Sequence, residues 1–399
     1  MIVDSVAEAV LADLKRIAEG FARLGRLVAL LGLDAATWAE KANAAERVAS
    51  EVERAARIDS FLRRYYAHPV GRVYWPEHGT PEDLGVLRDR RVDRRALERE
   101  VMAATSAVAR QLSAGITRHR HPLVRAAVAL CEQLQSELRT QPVEATAAVA
   151  ASKRERASGP VRAVRGPRRT RVDGAFEPTY SLATQPTPAF GTTLRECVPY
   201  FWSLSVREAM AADLCLLSIV EYDGLPLGFH QDMAKQAWDE ALHAVYFLGE
   251  ARSLLPELAA ALAAGDPLRA VVDDGHPLPV PQERNLFEAI WSMDLVDRLV
   301  LMHHDTETPA IPRLLEQMDG PFCRRYPRVA AALEIVRLDE ISHSRFGNHW
   351  LRELVPDRDE RLAAIERARL LRGLYILTAF SHYDGASLEE LVDDVIERR

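Results

Sequence analysis

Apolar residues recur at three- and four-residue intervals along most of this 399-residue chain, as in VAEAVLADLKRIAEGFARLGRLVALLGL (6–33), RALEREVMAATSAVARQL (95–112) and HPLVRAAVALCEQLQSEL (121–138). That spacing places them on one face of a helix. An all-α chain with few or no strands is predicted. After residue 193 four further long helices are expected, at about 194–222, 230–263, 283–305 (continuing with a kink to 318) and 328–355. Each ends at glycine or proline, in EYDGLP, AAGDP, TETPAIP and LVPD, where helices stop.

The breaks in the pattern set the domain organisation. HPVGRVYWPEHGTPEDLG (68–85) interrupts a helical N-terminal region, 1–142, and reads as a long loop or arm. Residues 143–192 change character: between 151 and 171 they carry Lys153 and seven arginines against Glu155 alone, with prolines continuing to Pro188. This is a basic, proline-rich linker. Its alternative role is a nucleic-acid contact through Arg168, Arg169 and Arg171, but no aromatic residues interleave the charges for base stacking. A bundle follows at 193–356, then C-terminal helices at 357–399, the last of them acidic and amphipathic and expected to pack on the bundle or on a second subunit of a homodimer. The short turn at 223–229 makes its flanking helices antiparallel neighbours. GDPLRAVVDDGHPLPVPQ (265–282) is long enough to cross from one end of a bundle to the other.

Composition adds little beyond a globular chain: 48% hydrophobic residues and a net charge of −7, which gives no global attraction to nucleic acid or anionic membrane. The first residues, MIVDSVAEAVLADLKRIAEG, carry Asp4 and Glu8 before any basic residue and read neither as a signal peptide nor as a membrane span. A cytoplasmic location is the expectation. The four cysteines, Cys131, Cys197, Cys215 and Cys323, form no CxxC pair and are expected to be reduced and structural.

The chemistry lies in an internal repeat. DEALHAVYFLGEARSLLPE (239–257) and DEISHSRFGNHWLRELVPD (339–357), 100 residues apart, match at Asp239/Asp339, Glu240/Glu340, His243/His343, Arg252/Arg352, Leu254/Leu354 and Pro256/Pro356. The two helices are expected to end at the same offset from their motifs. A lone Glu-x-x-His arises by chance about once in a chain this long; a matched pair with Asp before each Glu does not. Residues three apart on a helix share a face, so each carboxylate and imidazole can bind one ion together. Two such helices, with one carboxylate from each of two others, can hold two irons or manganeses inside a four-helix bundle, and oxygen and nitrogen donors suit those metals.

Glu208, 32 residues before Glu240, is the favoured partner once the chain folds back about the 223–229 turn. Asp213 also comes close, and Glu221 is too near the turn. Glu307 stands in the same relation to Glu340, at 33 residues, yet Pro309 and Pro312 predict a kink or helix end beside it. His304, His303 and Glu288 therefore remain alternatives for that corner. Trp238, Tyr246, Phe247, Phe346 and Trp350 flank the motifs as core packing or as pocket walls, and Tyr200, Tyr222 and Tyr246 are candidates to lie near the metals.

With these motifs, residues 194–356 resemble the ferritin-like superfamily of dimetal-carboxylate proteins, with similarity to its diiron oxygenases and tRNA-hydroxylase-like members and to a bacterial ferritin-like family. The resemblance implies Glu208, Glu240, His243, Glu307 (or His304), Glu340 and His343 as metal ligands, and Asp239 and Asp339 as partners that orient the histidines. It implies two iron ions, or iron and manganese, a small-molecule substrate with dioxygen, and an external electron donor. The expected function is a diiron-type oxidase or oxygenase acting on a small organic substrate. The alternatives are an iron-handling or peroxide-scavenging protein, and a scaffold that keeps the bundle with a degenerate site.

Overall fold

Val10, Leu14, Ile17, Phe21, Leu24, Val28 and Leu31 form one stripe at helical spacing, and all are buried along α1 (Ile2–Leu33). Buried apolar residues recur along the other described helices. In a computed structural model of the chain the regular elements among the described residues are helical and none is a strand. The structure describes residues 2–33, 35, 38–66, 94–118, 125–140, 189–222, 225–266, 268, 269, 290 and 293–380. The expected arm at 68–85, the linker with Arg168, Arg169 and Arg171, the Glu288 alternative, most of the 265–282 crossover and the C-terminal segment from 381 lie outside the described residues. Among the described residues no helix is long and apolar enough to cross a membrane.

The chain divides into two compact units, Met1–Arg168 with Cys215–Trp238, and Arg169–Leu214 with Asp239–Arg399. The first contains α1, α2 (Trp38–Tyr66), α3 (Arg94–Arg118) and α4 (Arg125–Thr140), together with the turn-proximal ends of α5 (Leu194–Glu221) and α6 (Leu227–Ala261). The stretch 193–356, expected as one domain, is thus shared between the units. Apolar packing explains the division: Leu216, Ile219 and Val220 are buried, and a Cβ on Gly32 would stand 2.9 Å from Leu216 Cδ1. Arg26 Nη2 donates to Val220 O at 2.6 Å, and Lys41 Nζ donates to Gly32 O at 3.2 Å, satisfying carbonyls at the ends of α5 and α1.

The second unit holds the Leu194–Leu214 part of α5, the Asp239–Ala261 part of α6, and a third helical segment. That segment is made of α7 (Leu295–Leu299), a π-helical turn (Val300–Glu307) and α8 (Thr308–Met318). Short α9 (Pro321–Arg325), α10 (Pro327–Leu354) and α11 (Arg358–Phe380) complete it. The helices expected at 194–222 and 328–355 agree with α5 and α10 to within a residue. The expectation that both repeat helices end at the same offset is corrected: α6 runs past Pro256 to Ala261, whereas α10 stops at Leu354, before Pro356. Phe201 stacks on Phe247 at 6.1 Å between α5 and α6, and Phe190 meets Tyr200, Phe201 and Phe322 edge to face. α11 is tied to the third segment by Arg367 on Asp297 at 2.7 Å and Arg369 on Asp305 at 3.1 Å.

Candidate metal centre

The third segment resolves the conflict between Glu307 and its prolines. Pro309 has no N–H for the carbonyl of Asp305, four residues earlier, so a regular α-helix through this point would leave that acceptor unpaired. Here the ladder widens into a π turn: the Thr308 N–H bonds His303 O, and the Thr306 and Thr308 hydroxyls donate to Leu301 O and His303 O at 2.7 and 2.8 Å. Arg372 Nη1, from α11, donates to the Asp305 carbonyl at 3.2 Å. The helix continues to Met318 with Glu307 buried at the end of the π turn.

Gly347 sets the approach of this turn to α10. A Cβ there would fall 2.1 Å from His303 Cβ, so only glycine admits the contact. Gly347 lies one turn beyond His343, and His303 lies one turn before Glu307. The two segments run in opposite directions, as the Thr308–Ser344 hydroxyl contact at 2.7 Å also requires, and this crossing brings Glu307 beside His343.

Six of the residues singled out in the sequence come together. Glu208, Glu240, His243 and Glu340 each offer a ligand atom within 4.8 Å of the others, and Glu240, Glu307 and His343 do the same. Glu240 belongs to both groups: its Oε2 lies 3.4 Å from His243 Nδ1 and its Oε1 lies 3.3 Å from His343 Nδ1. Glu208 Oε2 stands 3.9 Å from His243 Nδ1, and Glu340 Oε2 stands 3.7 Å from His343 Nδ1. His304 is not part of either group; it is partly exposed and contacts Asp305 Oδ1 at 3.0 Å. His303 is buried behind the site with Nδ1 3.3 Å from Leu299 O, and burial holds its imidazole down at about 4. Asp213 is buried but outside both groups, and Glu221 is exposed.

The two motifs support each other crosswise. His243 Nε2 meets Asp339 Oδ2 at 3.1 Å, and His343 Nε2 meets Asp239 Oδ2 at 3.1 Å. An ionised carboxylate only accepts, so each Nε2 carries the proton, and in the neutral ring the lone pair is on Nδ1, which faces the glutamates. His243 Nδ1, His343 Nδ1 and Glu340 Oε2 are buried and make no hydrogen bond. Each faces a carboxylate or imidazole atom only at 3.3–3.9 Å, longer than a good hydrogen bond. A cation between the glutamates would satisfy all three.

The electrostatics agree. Burial pushes Glu208 up to about 8, and the charges of Glu240 and Glu340 add to the rise. Glu307 is raised well above the carboxylate range by burial and by Glu340, and burial also raises Glu340. Burial would raise Glu240 too, but His243 and His343 outweigh it and hold the group well below the usual range. Both histidines are raised well above the imidazole range, since their carboxylate partners outweigh the burial that opposes charge. The cluster therefore holds protons in the places a metal would take, and metal binding would expel them.

A cavity of about 110 Å³ opens on Glu208, Glu240, Glu307 and Glu340. Phe247 is a wall of it, and so is Tyr200, whose hydroxyl accepts from Gln317 Nε2 at 2.8 Å. The crossed Asp–His pairing, the glycine contact and the arginine on the Asp305 carbonyl are not visible in the repeat. A carbonyl-orphaning proline after Asp305 and a glycine one turn after His343 were the available signals. Compared with models of protein families, with curated proteins and with solved structures, the chain finds no match.

Proposed function

We propose that the second unit is a ferritin-like dimetal-carboxylate bundle and that the protein is an oxidase or oxygenase which uses two irons, or iron and manganese, to oxidise a small organic substrate with dioxygen. The observation that carries this reading is the doubled ligand set around Glu240, with one imidazole on each side. Glu208, Glu240, His243 and Glu340 would hold one metal and Glu240, Glu307 and His343 the other, Glu240 belonging to both groups. The bound metals would supply the redox chemistry that activates dioxygen, and an external donor would supply the electrons.

The chain's own groups have defined tasks. Asp239 and Asp339 fix the imidazole tautomers and make Nδ1 a better donor. The four glutamates would provide negative charge that favours oxidised metal, and the three with raised proton affinities, Glu208, Glu307 and Glu340, would release protons as the metals enter. Leu204, Ala211 and Leu314, with Phe247, line the same cavity as the glutamates.

Dioxygen uptake by the iron-loaded protein, followed while candidate organic compounds are added, separates this reading from iron handling. An oxygenase consumes dioxygen in proportion to an organic substrate and yields an oxidised product. Uptake that tracks added ferrous iron alone, with no organic dependence, would favour the iron-handling alternative.

A further inference from the structure

The two ligand groups are unequal. Glu208, Glu240, His243 and Glu340 make a set of four, whereas Glu240, Glu307 and His343 make a set of three. Glu307 belongs to the smaller set alone. It also stands on the least regular backbone of the site, at the end of the π turn Val300–Glu307, while Glu208, Glu240 and Glu340 each stand inside a continuous α-helix. Much of what holds that turn comes from α11, which carries none of the six residues. Asp305, two residues before Glu307, is held there at both its main chain and its side chain. Arg372 Nη1 donates to its carbonyl at 3.2 Å, and Arg369 Nε donates to its carboxylate at 3.1 and 3.3 Å. The Asp305 side chain is 8% accessible, so this grip reaches beneath the surface of the segment. Arg367 on Asp297, at 2.7 Å, fixes the same segment just before the turn.

We infer that α11 positions Glu307, with Arg372 as the positioning residue, so that the ion at Glu240, Glu307 and His343 depends on α11 and the ion at the set of four does not. The inference rests on the dimetal reading and deepens it: the ion of the smaller set binds second and more weakly, and it is the one that undocking of α11 would release. By reciprocity, that ion in turn stabilises the docked α11. Position and charge act in opposite directions here. Arg372 lines the cavity onto which the four glutamates open, so removing its charge would, by electrostatics alone, favour cations in both sets. A loss confined to one ion therefore reports the placing of Glu307.

Manganous ion, dialysed to equilibrium against the full-length chain, is the probe. Wild type is expected to fill in two steps. Arg372→Met should leave the first step unchanged and weaken the second by about ten- to a hundredfold, the range for removing a group that orients a metal ligand. Retention of the first ion shows that the bundle is folded. Arg372→Lys, which keeps a donor for the Asp305 carbonyl, should restore part of the second step. Amide hydrogen exchange along α11 should slow when the second ion binds to wild type. An Arg372→Met protein that binds both ions as wild type does, or that weakens or strengthens both together, would overturn the inference and leave the dimetal reading standing. A wild type that takes up no manganous ion would remove the dimetal reading and the inference with it.

Discussion

Two glycines inside helices of the second unit should respond to alanine in opposite directions. Gly249 on α6 has no atom within 4 Å of the place its Cβ would take, whereas at Gly347 on α10 an added Cβ would stand 2.1 Å from His303 Cβ and 2.3 Å from His303 Cγ. On an open helical surface, Gly→Ala stabilises by about 0.5–1 kcal/mol, because alanine has less backbone freedom to lose. Gly249→Ala should therefore raise the denaturation midpoint. At Gly347 the atom met is anchored to the backbone, so the π turn itself must move away. Overpacking costs about 1–3 kcal/mol, and with the clash this deep the upper end applies; subtracting about 1 kcal/mol of helix propensity leaves a net loss of about 2 kcal/mol. The displaced turn carries Glu307, so metal content should fall as well. Adding His303→Ala should not rescue the variant, since its Cβ remains. Denaturant unfolding of the three variants and wild type, with metal analysis of each, is the assay. A Gly347→Ala protein as stable as wild type, with full metal, would refute the packing of the third segment on α10.

Other outcomes follow from the same geometry. Asp239→Asn and Asp339→Asn should each lower metal affinity by about ten- to a hundredfold, with the larger loss at Asp239, whose side chain is 6% accessible against 30% for Asp339; equal metal affinity in wild type and both variants would remove the crossed pairing. In the first unit, burial and the nearby Arg26 charge hold His230 down at about 3. The unfolded chain takes up this proton near pH 6.5 and the native chain does not, so stability falls as pH drops through the window from about 6.5 to 3. At pH 5 this amounts to about 2 kcal/mol. His230→Gln should lose that much less stability than wild type between pH 7 and pH 5, and an identical loss would show that His230 is not held neutral.

The legible part of the site was the part encoded by helical geometry. A Glu and a His three apart must share a face, and a repeat 100 residues away multiplies the constraint, so Glu240, His243, Glu340 and His343 could be read from spacing. Glu208 could be read because a short turn fixes the level at which an antiparallel partner lies. Glu307 could be placed by its matching spacing but not decided, because Pro309 and Pro312 signal a break and the hydrophobic pattern carries no mark of a π turn. What sustains the helix there is non-local: the Arg372 guanidinium, 67 residues away, on the Asp305 carbonyl, and the close passage of His303 over Gly347. Helices α5, α6 and α10 were legible to within a few residues at each end. The division of the chain across the α5–α6 hairpin was not, because burial of Leu216, Ile219 and Val220 with the N-terminal helices depends on tertiary packing.

If the glutamate and histidine cluster around Glu240 holds two metal ions, as proposed, the purified protein should carry them. Metal analysis of the purified protein, with an optical spectrum after aerobic loading with ferrous iron, tests it most directly. Wild type should hold about two ions per chain, and Glu240→Ala combined with His343→Ala should lose nearly all of them, with folding retained by circular dichroism. A wild-type chain that binds neither iron nor manganese, or a double variant that keeps the full complement, would contradict it.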